Sequence, residues 1–300
     1  MVLKEKRGAL QFNRQECIPI IRDGCIVDFK QSVSLTSMQL VEVYMLLANE
    51  LVARFCEKHQ LPCLYRNHGQ PDAEKLHGLF QTLNHLGIKV PNRDQAIHTK
   101  QLSKLMKKVH NKVNSHVYDI LMLRALPQAL YGPDCQGHYG LAYQHYLHFT
   151  SPIRRYPDLL VHQQLKHLMH GEATVVSDLN HMGSHCSYAE RRAEQATRWL
   201  DNELKCEFIK QYMGQSFQGR ISSVMNFGIF VTLEQFGIDG MVHISNLPKD
   251  YYDFDHEKIC LVGRKSRRQF RLGDVVNITI HNIDTDQHRI DFLLNDTPKN

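Results

Sequence analysis

The chain has 300 residues, of which 42% are hydrophobic and 22% charged, and its formal net charge is +5. This length predicts about two domains, and the composition is that of a globular protein. No apolar run predicts a transmembrane helix, and no apolar core follows the basic start as in a secretory signal. The eight scattered cysteines form no Cys-x-x-Cys pair, so we expect reduced thiols in a cytoplasm and no zinc site.

The first elements predicted are short strands between residues 7 and 30. RGALQF at 7–12 is one of the apolar runs, and a hairpin turn is expected at Asp23-Gly24. A long helix follows, because residues 36–39 have capping-box spacing and apolar residues then recur at helical intervals. Pro62 is expected to end this helix.

Five further segments are interpreted from their sequence patterns. A helix is predicted from about Pro71 to Gly87, and a third helix candidate runs through residues 98–122. Residues 131–150 are rich in Gly, Tyr and His and indicate loop and strand. Beyond them we predict a helix that starts near Pro157 and a long charged helix over residues 177–213.

The period changes at Gly214 from helical to alternating. Val276, Ile278 and Ile280 alternate with polar residues, and turn signals separate several short strands, which is typical of a small β-barrel. The predicted fold class is therefore α+β, with a mostly helical first domain over residues 1–210 and an all-β domain over 214–295.

Residues 214–295 resemble an RNA-binding domain of the S-one type, which is an OB-fold. The blocks FGIFV, GMVHIS, LGD and RIDFLL occur in that family's order. Aromatic rings on such a face stack on bases with little sequence preference. The resemblance implies an RNA face made of Phe227, Phe230, His243 and Arg289.

Two points about this face stay open. The two phenylalanines can also be interpreted as core residues of a small barrel, since apolar side chains usually pack inside. An aspartate usually precedes the arginine of the last strand, and Asp284 and Asp286 both compete for that position.

The segment HFTSPIRRYPDLLV, at residues 148–161, closely resembles the signature of the RNase II/RNase R superfamily of 3′→5′ exoribonucleases, which share an RNB nuclease domain. RGALQF, LVEVYMLLANELVARF and LYRNHGQP occur upstream in that family's order. The stretches CSYAERRAEQATRWLDNELKCEF and DYYDFD resemble its ribonuclease R branch. The resemblance therefore covers essentially the whole chain and implies a partial RNB domain before the barrel.

The block is suited to gripping phosphate, because Pro152 and Pro157 stiffen a turn from which two arginines are expected to project. By resemblance, Arg154 is the catalytic arginine. Arg155 and Tyr156 are assigned to RNA binding, and Tyr156 and Asp158 to support of the turn.

Other candidate RNA contacts are weaker. Glu42 falls on an acidic position of the family and is expected to face RNA, although the second acid of that pair is Val43 here. His68 is either close to the channel or structural. If residues 98–112 are helical, one side of the helix carries a basic stripe made of Lys100, Lys104, Lys108 and Lys112. This stripe either follows an RNA backbone or faces solvent.

The family's metal-binding aspartates, spaced D-x5-D-x-D-D, do not occur in this sequence. The resemblance implies Mg²⁺ in the intact family, but we expect no metal site here. The acidic group Asp250, Asp253, Asp255 and Glu257 is interpreted as a solvated loop.

The sequence thus predicts an RNA-binding fragment of a 3′→5′ exoribonuclease that is inactive alone and binds single-stranded RNA but no membrane. Two alternatives remain: a non-catalytic RNA-binding protein, and one half of a split exoribonuclease whose partner chain carries the missing N-terminal half.

Overall fold

The chain folds into a helical part and a β part. The computed structural model describes residues 2–12, 17–32, 34–90, 98–110, 115–172, 178–256 and 258–295. The elements of the helical part are, in order, α1 (Val2–Arg7), β1 (Cys17–Arg22), β2 (Cys25–Gln31), α2 (Thr36–Lys58), β3 (Tyr65–Asn67), α3 (Ala73–His85), α4 (Thr99–His110), α5 (Ser115–Ala125), β4 (Leu130–Gly132), α6 (Tyr156–His170) and α7 (Leu179–Ile209). No described helix is long and apolar enough to cross a membrane.

A closed barrel follows, and it confirms the α+β class. Its strands are hydrogen-bonded in the order β11-β12-β7-β6-β5, and β8, β9 and β10 form a separate antiparallel sheet between β7 and β11. Alternate residues of the barrel strands point inward, as the period-two pattern predicts. The strands are β5 (Ser216–Met225), β6 (Gly228–Leu233), β7 (Asp239–His243), β8 (Tyr252–Asp255), β9 (Cys260–Gly263), β10 (Gln269–Arg271), β11 (Val275–Asp284) and β12 (Arg289–Leu294).

The predicted hairpin is confirmed, but the strand at 7–12 is wrong. Asp23 and Gly24 have φ angles of 50° and 78°, which fit the two-residue turn that joins β1 to β2. At Gly8, φ is 92°, and an added Cβ would lie 2.5 Å from the Cγ of Lys100. The chain turns sharply against α4 there, so the following residues form no strand.

The helices start and end partly as predicted. Asp72 caps α3, whose buried face is the predicted apolar one. The capping box proposed for α2 is wrong, because its N-cap is Leu35 and no side chain caps it. In place of one helix over 98–122, the structure has α4 and α5, and residues 111–114 between them lie outside the described residues.

One apolar core joins the two parts. Buried residues of α3, α4 and α5 belong to the same cluster as the end of α7 and the interior of the barrel. Phe208 of α7 meets Phe236, between β6 and β7, edge to face at 5.3 Å, and Arg124 Nη2 of α5 donates to Ser223 Oγ of β5 at 3.4 Å. The barrel is therefore packed on the helical part. The domain boundary near Gly214 remains a prediction.

Candidate nucleic-acid interface

A tight turn precedes α6 and presents the two adjacent arginines. The backbone N–H groups of Arg154 and Arg155 both donate to the carbonyl of Ser151, at 3.3 and 3.1 Å. Pro157 then fits the first turn of α6, where a missing N–H costs no hydrogen bond.

Asp158 holds this turn from inside. Its side chain is fully buried, and its Oδ1 accepts from Ser151 N at 2.7 Å and from Arg155 Nη2 at 2.7 Å. One carboxylate thus fixes both ends of the turn, in agreement with the predicted supporting role.

The side chains of Arg154 and Arg155 differ in exposure. The expectation that both project from the turn is therefore wrong for Arg155. The side chain of Arg155 is only 19% exposed and is paired with Asp158. Arg154 is exposed, and within the described part of the chain no hydrogen bond or ion pair to its guanidinium is found. Tyr156 beside it is half exposed. The turn therefore offers one arginine and one aromatic ring to a ligand.

A partly buried polar network lies behind the turn, and its pairing could not be predicted from residue spacing. Arg66 grips Glu190 with two hydrogen bonds, at 2.6 and 3.1 Å, and its guanidinium lies 4.6 Å from the ring centre of Tyr131. The Tyr131 hydroxyl is 2.7 Å from His148 Nδ1. Residues 66 and 190 are 124 positions apart, so no spacing rule could pair them.

Charge and burial fix the protonation of this network. Burial, helped by the positive charges of Arg155 and Arg66, lowers the pKa of His148 to about 2. Burial also raises the pKa of Tyr131 to about 12. His148 is therefore neutral, and it shares one hydrogen bond with the protonated Tyr131 hydroxyl through its Nδ1. Arg66 and Arg155 are each paired with a carboxylate, so the net positive charge of the turn comes from the exposed Arg154.

His68 has a structural environment. Its Nε2 lies 2.8 Å from the carbonyl of Pro127, and its Nδ1 accepts from Gly140 N at 2.9 Å. The ring stacks on His138 at 4.8 Å. Both ring nitrogens are thus occupied, which favours the structural alternative.

Glu42 lies on α2, and among the described residues it belongs to no group of three or more potential metal ligands. It is exposed and pairs with Lys4 Nζ at 2.7 Å. Around it, α2 exposes an unusual number of apolar side chains, which we call the α2 face: Met38, Leu40, Val41, Val43, Tyr44, Leu47, Leu51 and Phe55.

The basic stripe is placed on an exposed helix surface. Lys100, Lys104 and Lys108 are exposed on α4, whose other side is buried. Lys112 lies outside the described residues. The geometry is compatible with both alternatives for the stripe.

The structure places the two phenylalanines of the FGIFV block on the outer surface of the barrel. Phe227 is 44% exposed, and its ring meets that of the half-buried Phe230 edge to face at 6.2 Å. The interior of β6 is filled instead by Ile229, Val231 and Leu233, each fully buried. The alternative that the two phenylalanines are core residues is therefore wrong.

His243 and Arg289 share this outer face with Phe230. Phe230 is paired with Met241, and Met241 with Asp291, so these three form one row across the sheet. His243, two residues after Met241, lies one row to one side, and Arg289, two residues before Asp291, lies one row to the other.

The two competing aspartates have different positions. Asp284 lies opposite Arg289 in the register and accepts from the N–H groups of Asp286 and Gln287, at 3.1 and 2.9 Å. Asp284 therefore holds the turn between β11 and β12. Asp286 lies within that turn and is exposed.

The acidic loop is occupied by protein donors. Asp250 accepts from the backbone of Lys265 and from both the backbone and hydroxyl of Ser266, which lowers the pKa of its carboxyl. Asp253 pairs with Arg264 at 2.8 Å. Glu257 lies outside the described residues.

The described residues do not fit a magnesium pair. Hard cations such as Mg²⁺ require clustered oxygen ligands. Among the described residues, one group of His, Cys, Asp or Glu brings three ligand atoms within 4.8 Å of one another: Glu57, Cys135 and His145. This group offers one oxygen, one sulfur and one nitrogen rather than a set of oxygens.

The helical part presents an arginine turn, and the OB-fold barrel packed on it presents two phenylalanines on its outer face. This combination is typical of nucleic-acid-binding proteins. Family comparison agrees: residues 2–171 match the RNB domain, and residues 210–294 match the S1 RNA binding domain. The chain belongs to the RNB family.

Several relatives are named ribonuclease R. The chain is 37% identical to Ribonuclease R of Escherichia coli (strain K12) over 97% of this chain and 37% of that protein. The apo form of Mycoplasma genitalium RNase R superposes with a TM-score of 0.92 and 26% identity, over 98% of this chain and 47% of the other. The same protein in complex with ribose methylated single-stranded RNA gives 0.90, with the same identity and coverage. The chain spans less than half the length of these relatives.

Proposed function

We propose that this chain is the RNA-binding C-terminal part of a ribonuclease R-like 3′→5′ exoribonuclease, and that by itself it binds single-stranded RNA without hydrolysing it. The observation that carries the proposal is the arginine turn, in which Arg154 is exposed while Arg155 is held by the buried Asp158.

Arg154 is assigned to a phosphate of the RNA near the 3′ end. A guanidinium fork matches phosphate oxygens, and a fixed turn reduces the entropy that its ordering would cost. Tyr156 is exposed beside it for a ribose or base contact. Arg155 contributes positive charge and holds the turn.

The outer face of the barrel is assigned to the incoming strand. Phe227 and Phe230 provide stacking surfaces, and His243 and Arg289 lie on either side of Phe230 to meet the backbone. Stacking is sequence-tolerant because every base has a π-face. Such a face holds a single strand while its 3′ end lies at the arginine turn.

Hydrolysis by metal ions requires a cluster of carboxylate ligands. In the intact family, Mg²⁺ bound by such carboxylates would supply positive charge at the scissile phosphate and would activate a water. The described residues offer no such seat, so the aspartates must come from elsewhere, on the same polypeptide or on another.

The α2 face supports a role for that missing part. Exposed apolar side chains this numerous on one helix indicate a covered surface rather than a solvated one. We assign the upstream part of an RNB domain as its partner, with Glu42 at the margin of the contact. The eight free thiols fit a reducing compartment such as the cytoplasm.

The alternative function is RNA binding with no catalytic counterpart. The small number of carboxylates near the arginine turn favours this alternative. The two functions predict different results for one experiment. Adding the upstream part of a ribonuclease R to this chain would restore Mg²⁺-dependent degradation under the main proposal and would leave RNA intact under the alternative.

The binding claim is tested by fluorescence anisotropy with a short 5′-labelled oligouridylate at several salt concentrations. Arg154→Ala should weaken binding and reduce the slope of log K against log salt by about 0.7, the value for one lost contact with a single strand. Arg198→Ala, an exposed arginine of α7, is the matched control. Equal affinity and slope for wild type and Arg154→Ala would overturn the assignment.

A further inference from the structure

Three potential metal ligands converge at the C-terminal end of α2. Glu57 is in the last turn of that helix, Cys135 follows β4, and His145 lies ten residues further on. One ligand atom from each lies within 4.8 Å of the others. Their wide separation in sequence explains why the cysteine spacing predicted no such group.

The distances fit a tetrahedral ion. Cys135 Sγ lies 3.7 Å from His145 Nδ1, and a Glu57 carboxylate oxygen contacts the same nitrogen. A tetrahedral zinc with a Zn–S bond of about 2.3 Å and a Zn–N bond of about 2.0 Å separates those two ligand atoms by about 3.6 Å. The cysteine and histidine are therefore already at zinc spacing. Glu57 is exposed and at a helix end, so its carboxylate can swing to admit the ion.

The donor set selects the class of metal. A thiolate, an imidazole and a carboxylate together suit Zn²⁺ and disfavour Mg²⁺, which takes oxygen ligands. We propose that Glu57, Cys135 and His145 bind one Zn²⁺, with the fourth position left to water. This site is separate from the arginine turn and does not depend on the proposed RNA function.

The surroundings would support such a site. Cys135 packs against the apolar cluster formed by Cys56, Cys63, Tyr65 and their neighbours, so the ligands are shielded on one side. The other side is open, because Glu57 is exposed. A bound ion can therefore enter from solvent while its thiolate lies against a low-dielectric wall.

The ion would join two segments that already meet near the arginine turn. Asn49 of α2 donates to the Tyr146 hydroxyl at 3.2 Å and accepts from Phe149 N at 3.0 Å. His145 begins the same stretch, which leads directly into the turn at Ser151. Zinc would thus replace the direct contact of Glu57 with His145 by a metal-centred link between α2 and the segment that positions Arg154.

The test uses the full chain, reduced, freed of any polyhistidine tag and kept in a buffer without thiols. Titration with ZnCl2 against a chromophoric zinc indicator should give one site per chain. Replacing Zn²⁺ by Co²⁺ should give the intense visible bands of a tetrahedral ion and a thiolate-to-cobalt charge-transfer band. Zinc should also raise the thermal midpoint of the wild type.

Two variants and one control make the result specific. Cys135→Ser and His145→Gln should each weaken zinc binding by at least about tenfold, and Cys135→Ser should abolish the charge-transfer band. Cys25→Ser removes an exposed thiol elsewhere and should change neither. Circular dichroism of each variant without metal verifies folding. If the wild type binds no zinc, or gives a cobalt spectrum without tetrahedral or thiolate bands, the proposal is overturned even if a variant fails to fold.

Discussion

The carboxylate of Asp158, fully buried at the start of α6, accepts a hydrogen bond from Arg155 Nη2 at 2.7 Å. Of the two neighbouring arginines, one is thereby fixed to the protein interior and the other is presented to solvent. The same carboxylate accepts from Ser151 N, so the ion pair and the shape of the turn depend on each other.

Removing the charge of Asp158 should destabilise the chain. Asp158→Asn leaves the largely buried Arg155 without its counterion, and breaking a buried pair typically costs about 3–5 kcal/mol. Urea denaturation followed by circular dichroism measures the free energy of unfolding. Asp201→Asn on the exposed side of α7 is the control. A loss for Asp158→Asn no larger than that of the control would show that the pair does not hold the turn.

The aromatic face of the barrel should contribute stacking energy. Phe227→Ala should weaken binding of single-stranded RNA by about 1–3 kcal/mol, the range for a stacked base, with little effect on the thermal midpoint because Phe227 is exposed. Tyr251→Ala removes another exposed aromatic ring from the same domain and serves as the matched control. Anisotropy with a labelled oligouridylate compares the three proteins. Equal losses in both variants would mean that the face has no special role.

The buried histidines should make the fold sensitive to acid. Burial lowers the pKa of His148 to about 2 and that of His138 to about 3, whereas an unfolded histidine has a pKa of about 6.5. Above that value both states are neutral, and this source adds no pH dependence. Below about pH 6.5 the histidines bind protons in the unfolded chain but not in the folded chain. The free energy of unfolding therefore falls until the pH reaches the pKa values of the folded chain.

The expected size of this effect is up to about 2 kcal/mol for each histidine between pH 7 and pH 5. Urea midpoints at the two pH values measure it. His148→Gln should be destabilised at pH 7 but should lose less further stability on going to pH 5 than the wild type does. His170→Gln, at the exposed end of α6, should keep the wild-type pH dependence. An unchanged pH dependence in His148→Gln would contradict the account.

Much of the fold could be predicted because its signals are local. The turn at Asp23-Gly24 requires two positive φ angles, and the buried face of α3 follows helical spacing. The strand expected at 7–12 failed because the conformation of Gly8 is set by its contact with Lys100, about ninety residues away. Local apolar character carries no information on such a contact.

The candidate site was predicted less completely for the same reason. Family motifs indicated Arg154 and the barrel residues. They did not indicate that Arg155 turns inward, nor that Arg66 pairs with Glu190 behind the turn. The Glu57, Cys135 and His145 group was missed because only tertiary folding brings its members together.

We propose that this chain grips single-stranded RNA and that its described residues do not hold the metal ions for hydrolysis. The most direct measurement is a time course of 5′-labelled single-stranded RNA with the purified chain, in Mg²⁺ and in EDTA, at protein concentrations where anisotropy shows the RNA to be bound. We expect RNA that is bound and intact in both conditions. Stepwise shortening from the 3′ end in Mg²⁺ but not in EDTA would contradict the account and would show that carboxylates of this chain hold the metal.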